Sequence, residues 1–287
     1  MGGDESAVVM VQDGVSRGRS ALFSGSSWGD CGGVGILLGS GGPRGPREPY
    51  SAAPLPPVRV DRATARTAGV LFITATVASL ASTALMNPII TGRDYLTKTF
   101  AHQDRVITGS FFLIVSAFAS AGIAIALYPK LSSYGRGLAL GSVSFRVMEG
   151  VMYLVGAVAV LMLVPLSHDA ARMEASPAYI QTSGSLVQTL HDKASVIGVM
   201  AFYLGALMYY WIFFRSGLIP RWLSEWGLVG ATLGFFAALL VLFRVITSMS
   251  ALQVGLNVPI GVNEVVLALW LIVKGFNSPQ VHEQLLS

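Results

Sequence analysis

Six apolar runs occupy residues 67–86, 106–127, 138–164, 194–214, 227–247 and 258–275. Each is close to the roughly 20 residues that an α-helix needs to cross a hydrocarbon core of about 30 Å. Inside lipid every backbone N–H and C=O must find its partner within the chain, so an open run of this length folds as a helix. Composition points the same way. Only 12% of the 287 residues are charged, against roughly 25% in a soluble domain, so lipid in place of water covers most of the folded surface. The expected fold is all-α, a polytopic transmembrane bundle of about six spanning helices over 58–276. A disordered tail rich in Gly, Ser, Pro and Arg is expected at 1–57, and a short C-terminal tail at 277–287.

Local signals set the expected boundaries. Pro88, Pro129 and Pro165 follow the first three runs, and a proline just past a helix end is a stop signal. These helices are therefore expected to close at Asn87-Pro88, at Tyr128-Pro129 and near Pro165. Arg59, Arg62 and Arg66 precede the first run, Lys130 and Arg136 separate the second and third, Arg215 and Arg221 separate the fourth and fifth, and Lys274 ends the sixth. Basic residues collect on cytoplasmic loops, so both termini are expected in the cytoplasm. The same rule accounts for the net charge of +4, which makes membrane lipid the expected partner and not nucleic acid. Trp222 and Trp226 beside Arg221 read as an interfacial anchor, with Tyr209, Tyr210 and Trp211 in the same belt. Gly137/Gly141 and Gly230/Gly234 form GxxxG pairs that let helix backbones approach closely.

The third run carries Arg146 and Glu149 deep inside it. A charge near mid-bilayer costs at least about 2.5 to 3.5 kcal/mol, so it must face other helices or a wet cavity and find a partner. Three residues apart on a helix, the two share a face. With 1.5 Å of rise per residue, Arg146 lies about 12 Å and Glu149 about 17 Å from the start of the run near Leu138. Glu264 lies about 9 Å from the start of the sixth run near Val258. Arg244 and His191 come at the outer ends of their runs. The expected ligand-binding set is therefore Arg146, Glu149, Tyr153, His191, Arg244 and Glu264, around a polar cavity in the outer half of the bundle. If the charges serve packing alone, Arg146 is expected to neutralise Glu149, and Arg244 or His191 to answer Glu264.

Three functional classes fit that set. In the first, a non-catalytic, transporter-like module binds an ion or small amphiphile, with Arg146 holding an anionic group and a glutamate exchanging protons. In the second, the charges are packing ion pairs. In the third, an intramembrane enzyme acts on a lipid. No H-E-x-x-H helix occurs, His102 and His168 fall in expected loops, and His282 lies in the tail. Ser195, His191 and Asp192 are too close in sequence to imply triad geometry. No catalytic residue, metal site or cofactor is assigned. Cys31 is the single cysteine, which excludes an intrachain disulfide.

The blocks TARTAGVLFITATVAS at 64–79, GLALGSVSFRVMEG at 137–150, RSGLIPRWLSEWGLVG at 215–230 and NEVVLALWLIVKGF at 263–276 resemble a bacterial membrane-protein family known as domain of unknown function 4386. The resemblance runs from about Arg62 to Phe276. It implies a multi-helix integral protein of the bacterial plasma membrane and brings no reaction or ligand. Arg146, Glu149, Pro220, Arg221, Glu264, Trp270 and Lys274 stand at positions that look typical of that family.

Overall fold

A computed structural model describes residues 62–173, 176–248 and 250–277. The tail expected at 1–57, Cys31, Arg59 and His282 lie outside the described residues. Seven helices follow in order: α1 (Arg62–Ile90), α2 (Tyr95–Ala101), α3 (Gln103–Leu131), α4 (Arg136–Arg172), α5 (Pro177–Ser216), α6 (Arg221–Leu242) and α7 (Ala251–Val273). All but α2 are long and apolar enough to cross a membrane, and each corresponds to one of the six runs.

The ends differ from expectation for physical reasons. Pro88 and Pro129 sit inside the last turns of α1 and α3, and α4 continues through Pro165 to Arg172. Proline removes one backbone hydrogen bond, a loss that spanning helices accommodate through their neighbours. His168 is consequently helical, with Nε2 2.9 Å from Gln103 Oε1 of α3, and not a loop residue. Helix α5 starts well before its apolar run because Ser176 caps it, accepting from the Tyr179 N–H at 3.3 Å, with Pro177 in the first position. Likewise Ser250 accepts from the Gln253 N–H at 3.3 Å and starts α7 at Ala251.

The six long helices close a ring in which α1 packs on α3, α3 on α4, α4 on α5, α5 on α6, α6 on α7, and α7 back on α1. Short connections make successive helices antiparallel. One end of the ring, here the basic end, therefore carries the starts of α1, α4 and α6 and the ends of α3, α5 and α7. Asn277 fastens that end, donating from its backbone N–H to the Leu218 carbonyl at 2.8 Å and from its side chain to the Gly217 carbonyl at 3.0 Å. Close approach needs glycine at two seams. A Cβ on Gly69 of α1 would lie 2.7 Å from the Ala268 carbonyl oxygen of α7, and one on Gly150 of α4 would lie 2.9 Å from the Ala117 carbonyl oxygen of α3.

Outward residues repeat every two turns: Val70 and Val77 on α1, Phe111, Phe118 and Ile125 on α3, and Val151 and Val158 on α4 are all exposed. An apolar exterior of this extent belongs against lipid. Inside, Phe72, Leu127, Tyr209, Phe213, Leu223 and Leu267 belong to a core toward the basic end. Met86, Ile89, Val106, Val160 and Leu163 form a second core toward the other. Between them the interior is polar.

Candidate functional site

Arg146 lies about 15 Å along α4 from Arg136, near the middle of the ring, and is 2% exposed. A guanidinium placed there must be answered from within the protein. Nη1 donates to Glu149 Oε2 and to Ser120 Oγ, both at 3.1 Å. Nη2 donates to the Tyr209 hydroxyl and to Glu264 Oε1, both at 3.2 Å. Ser120 in turn donates to Glu149 Oε2 at 2.6 Å. The Phe202 ring lies against the guanidinium at 4.5 Å from its centroid, with Tyr209 at 5.4 Å and Phe72 at 5.7 Å. Helices α1, α3, α4, α5 and α7 thus all converge on one side chain.

Acidic groups outnumber basic ones in this cluster. One guanidinium faces two carboxyl groups, and each carboxyl gives it a single oxygen. Oε1 of Glu149 and Oε2 of Glu264 accept no hydrogen bond from the described residues. Both glutamates line a cavity of about 240 Å³, together with Tyr153, Phe202, Tyr203 and Asn257. Asn257 is held by the Tyr203 hydroxyl, which donates to its Oδ1 at 2.7 Å.

A second cavity of about 250 Å³ lies farther from the basic end, lined by Ser82, His191, Asp192 and Ser195. The two share Ser79, Tyr153, Val199 and Gln253 as lining, so they adjoin. Ser82 is 1% exposed and its hydroxyl has no hydrogen-bond partner among the described residues. His191 Nδ1 lies 3.1 Å from the Gly156 carbonyl oxygen. A carbonyl only accepts, so Nδ1 is the donor in this contact.

Of the six residues expected at the site, Arg146, Glu149, Tyr153 and Glu264 line the inner cavity, and Tyr153 and His191 line the outer one. Arg244 lines neither. Helix α6 ends at Leu242, and Arg244 stands exposed in the turn beyond it at a φ of 59°. The expectation that Arg244 or His191 answers Glu264 is corrected, because Arg146 holds both glutamates. The depth of Glu264 changes as well. Helix α7 starts at Ala251, so Glu264 lies about 20 Å from its start, level with the middle of the ring.

Tyr209 and Tyr210 are not interfacial. Both are buried, and Tyr210 donates to Asn263 Oδ1 at 2.5 Å, while Asn263 Nδ2 donates to the Leu223 carbonyl at 3.0 Å. Trp211 and Trp222 are exposed, Trp222 stacks on Trp226 with centroids 6.4 Å apart, and Lys274 Nζ lies 4.5 Å from the Trp270 ring centroid. Sequence reading missed Ser120, Phe202 and Tyr209 as site residues. Phe202 and Tyr209 are seven residues apart and share a helix face, which was a usable signal. Ser120, in a run of small residues, gave none.

Fold and site together define a class: a multi-pass, all-helical membrane protein whose six spanning helices close around a buried arginine and two glutamates. The sequence model of the family described as Domain of unknown function (DUF4386) matches residues 67–275. The chain belongs to that family. Comparison with curated proteins and with solved structures gives no match.

Proposed function

We propose that the protein is a non-catalytic, transporter-like module that holds a proton or a small cation against Glu149 and Glu264 in the inner cavity. The observation that carries this reading is the excess of carboxyl groups over guanidinium at a hollow place. Two carboxyl groups share one guanidinium, and each leaves one oxygen without a hydrogen bond from the described residues beside a shared void. In a low-dielectric interior an uncompensated negative charge is costly, and a proton or a cation removes it. An anionic ligand on Arg146 is disfavoured because both of its terminal nitrogens are already engaged and its Nε, which has no partner among the described residues, is buried out of reach. The basic end fits the cytoplasmic face of a bacterial plasma membrane, which puts the outer cavity on the external side.

The test is thermal unfolding of the protein in phosphatidylcholine nanodiscs during titration with methylammonium chloride and with sodium chloride, with Glu264→Gln titrated in parallel as the control. A bound cation stabilises by about 2.7 kcal/mol at a hundredfold excess over its dissociation constant. The expected result is a saturable upward shift in Tm with at least one of the two cations, weakened tenfold or more in Glu264→Gln. An equal response in Glu264→Gln and the native protein overturns the reading.

A further inference from the structure

The inner cavity is not closed on the side of α1 and α7. Toward the basic end these helices are in tight contact, Gly69 against Ala268 and Ile272. Two to three turns farther along, the cavity itself separates them, with Thr76 and Leu80 on the α1 wall and Asn257, Gly261 and Glu264 on the α7 wall. Leu80 is 66% exposed. Gly261 is exposed too, and a Cβ built on it would meet nothing within 4 Å. The outer rim of this slit is thus an exposed leucine and a bare glycine backbone at membrane depth. Its inner end is the unshared oxygen of Glu264, whose side chain is 14% exposed.

We infer that the slit between α1 and α7 admits a single-chain alkylammonium amphiphile from the bilayer, its ammonium group docking on Glu264 and Glu149 and its tail leaving past Leu80 and Gly261 into lipid. This rests on the cation-binding reading above and names its ligand class. Charge complementarity selects the head, because the cluster carries one positive and two potentially negative groups. Phe72 and Phe202 are set against Arg146, and the remaining aromatic wall, Tyr203, suits an organic cation better than a strongly hydrated one. The lateral opening selects the tail, since an alkyl chain lying in lipid loses no apolar contact when its head enters the slit. A phospholipid amine fits less well: its phosphate would stand next to the two carboxyl groups, a like-charge contact.

The experiment compares decylamine, decanol and decanoate with methylammonium, by thermal unfolding in phosphatidylcholine nanodiscs. Decanol and decanoate report the effect of the chain on the lipid alone. Decylamine is expected to raise Tm at concentrations at least tenfold below those of methylammonium, and decanol and decanoate are expected not to. Gly261→Trp, which fills the rim, is expected to remove the decylamine response and keep that of methylammonium. Leu80→Trp serves the same purpose from the opposite wall if Gly261→Trp does not fold. A decylamine response unchanged in both rim variants overturns lateral access while the cation site stands. A response to methylammonium equal to that for decylamine overturns the amphiphile alone. No response to either amine, or one insensitive to Glu264→Gln, overturns the cation site and the inference together. A shift produced by phosphatidylethanolamine in the nanodisc, competing with decylamine, makes a lipid headgroup the occupant and overturns the single-chain assignment.

Discussion

Arg146 Nη2 lies 3.2 Å from Glu264 Oε1 although 118 residues separate them in the chain. The contact joins α4 to α7 across the middle of a ring in which the two helices are not neighbours. The same guanidinium reaches Glu149 one turn away and Ser120 on α3. A single side chain therefore acts as the central tie of the bundle, and its removal is felt by several helices at once.

Arg146→Met leaves two buried carboxyl groups without their counter-ion. Breaking a buried pair from one side costs about 3–5 kcal/mol, whereas replacing all members with apolar groups is often close to neutral. The triple variant Arg146→Met/Glu149→Leu/Glu264→Leu is expected to unfold at a temperature much nearer the native one than Arg146→Met alone. Thermal unfolding in detergent checks this. A triple variant less stable than the single one means that the cluster contributes more than its charges cancel.

The two glutamates are expected to separate into a structural member and one that faces the slit. Glu149 is 4% exposed and its Oε2 accepts from both Ser120 and Arg146, while Glu264 meets Arg146 alone among the described residues and borders the slit. Hydrogen bonds to charged groups contribute about 1.5–3 kcal/mol each. Glu149→Gln is thus expected to lower stability more than Glu264→Gln, and the unfolding midpoints of the two variants measured side by side decide it.

Asn263 is fully buried and ties α5, α6 and α7 by accepting from Tyr210 and donating to the Leu223 carbonyl. Asn263→Leu removes the acceptor of the Tyr210 hydroxyl and the side-chain donor to the Leu223 carbonyl, which keeps its bond within α6, and an unsatisfied buried group costs about 1–3 kcal/mol. The loss is expected to be smaller when Tyr210→Phe is already present, because one stranded group is then absent. A double-mutant cycle on chemical or thermal unfolding measures that coupling.

Much of this architecture was legible in the chain because the bilayer leaves few choices: the six apolar runs, the all-helical class and the Arg146–Glu149 pairing on one face all follow from length and period. What escaped was written in polar sequence. The first half of α5, with Thr182, Ser183, Ser185, Gln188 and Thr189, has no apolar run to betray it, and only the Ser176-Pro177 cap marks its start. The apolar part of α7 begins at 258 while the helix begins at the Ser250 cap, so the apolar run alone sets Glu264 too close to the outer end. Arg244 was given to the site because apolar residues continue past the end of α6, where the backbone turns at a positive φ. The bond from Arg146 to Tyr209 could not be read at all, since it depends on which two helices the ring brings face to face.

The last expectation concerns water. Ser79 lines both cavities and Asn257 lines the inner one, whereas Ser224 on α6 is fully buried and lines neither. Thiols react as thiolates, and a thiolate needs a polar, accessible surrounding. With Cys31 replaced by serine, since it is the single native cysteine, Ser79→Cys and Asn257→Cys are expected to react with a membrane-impermeant methanethiosulfonate reagent, and Ser224→Cys is expected to remain unlabelled. Applied to intact cells, the reagent also tests orientation, because the outer cavity opens away from the basic end. Labelling of Ser79→Cys from outside places that end in the cytoplasm. Labelling only after permeabilisation reverses the orientation, and equal protection of all three cysteines means that the polar interior is sealed from water.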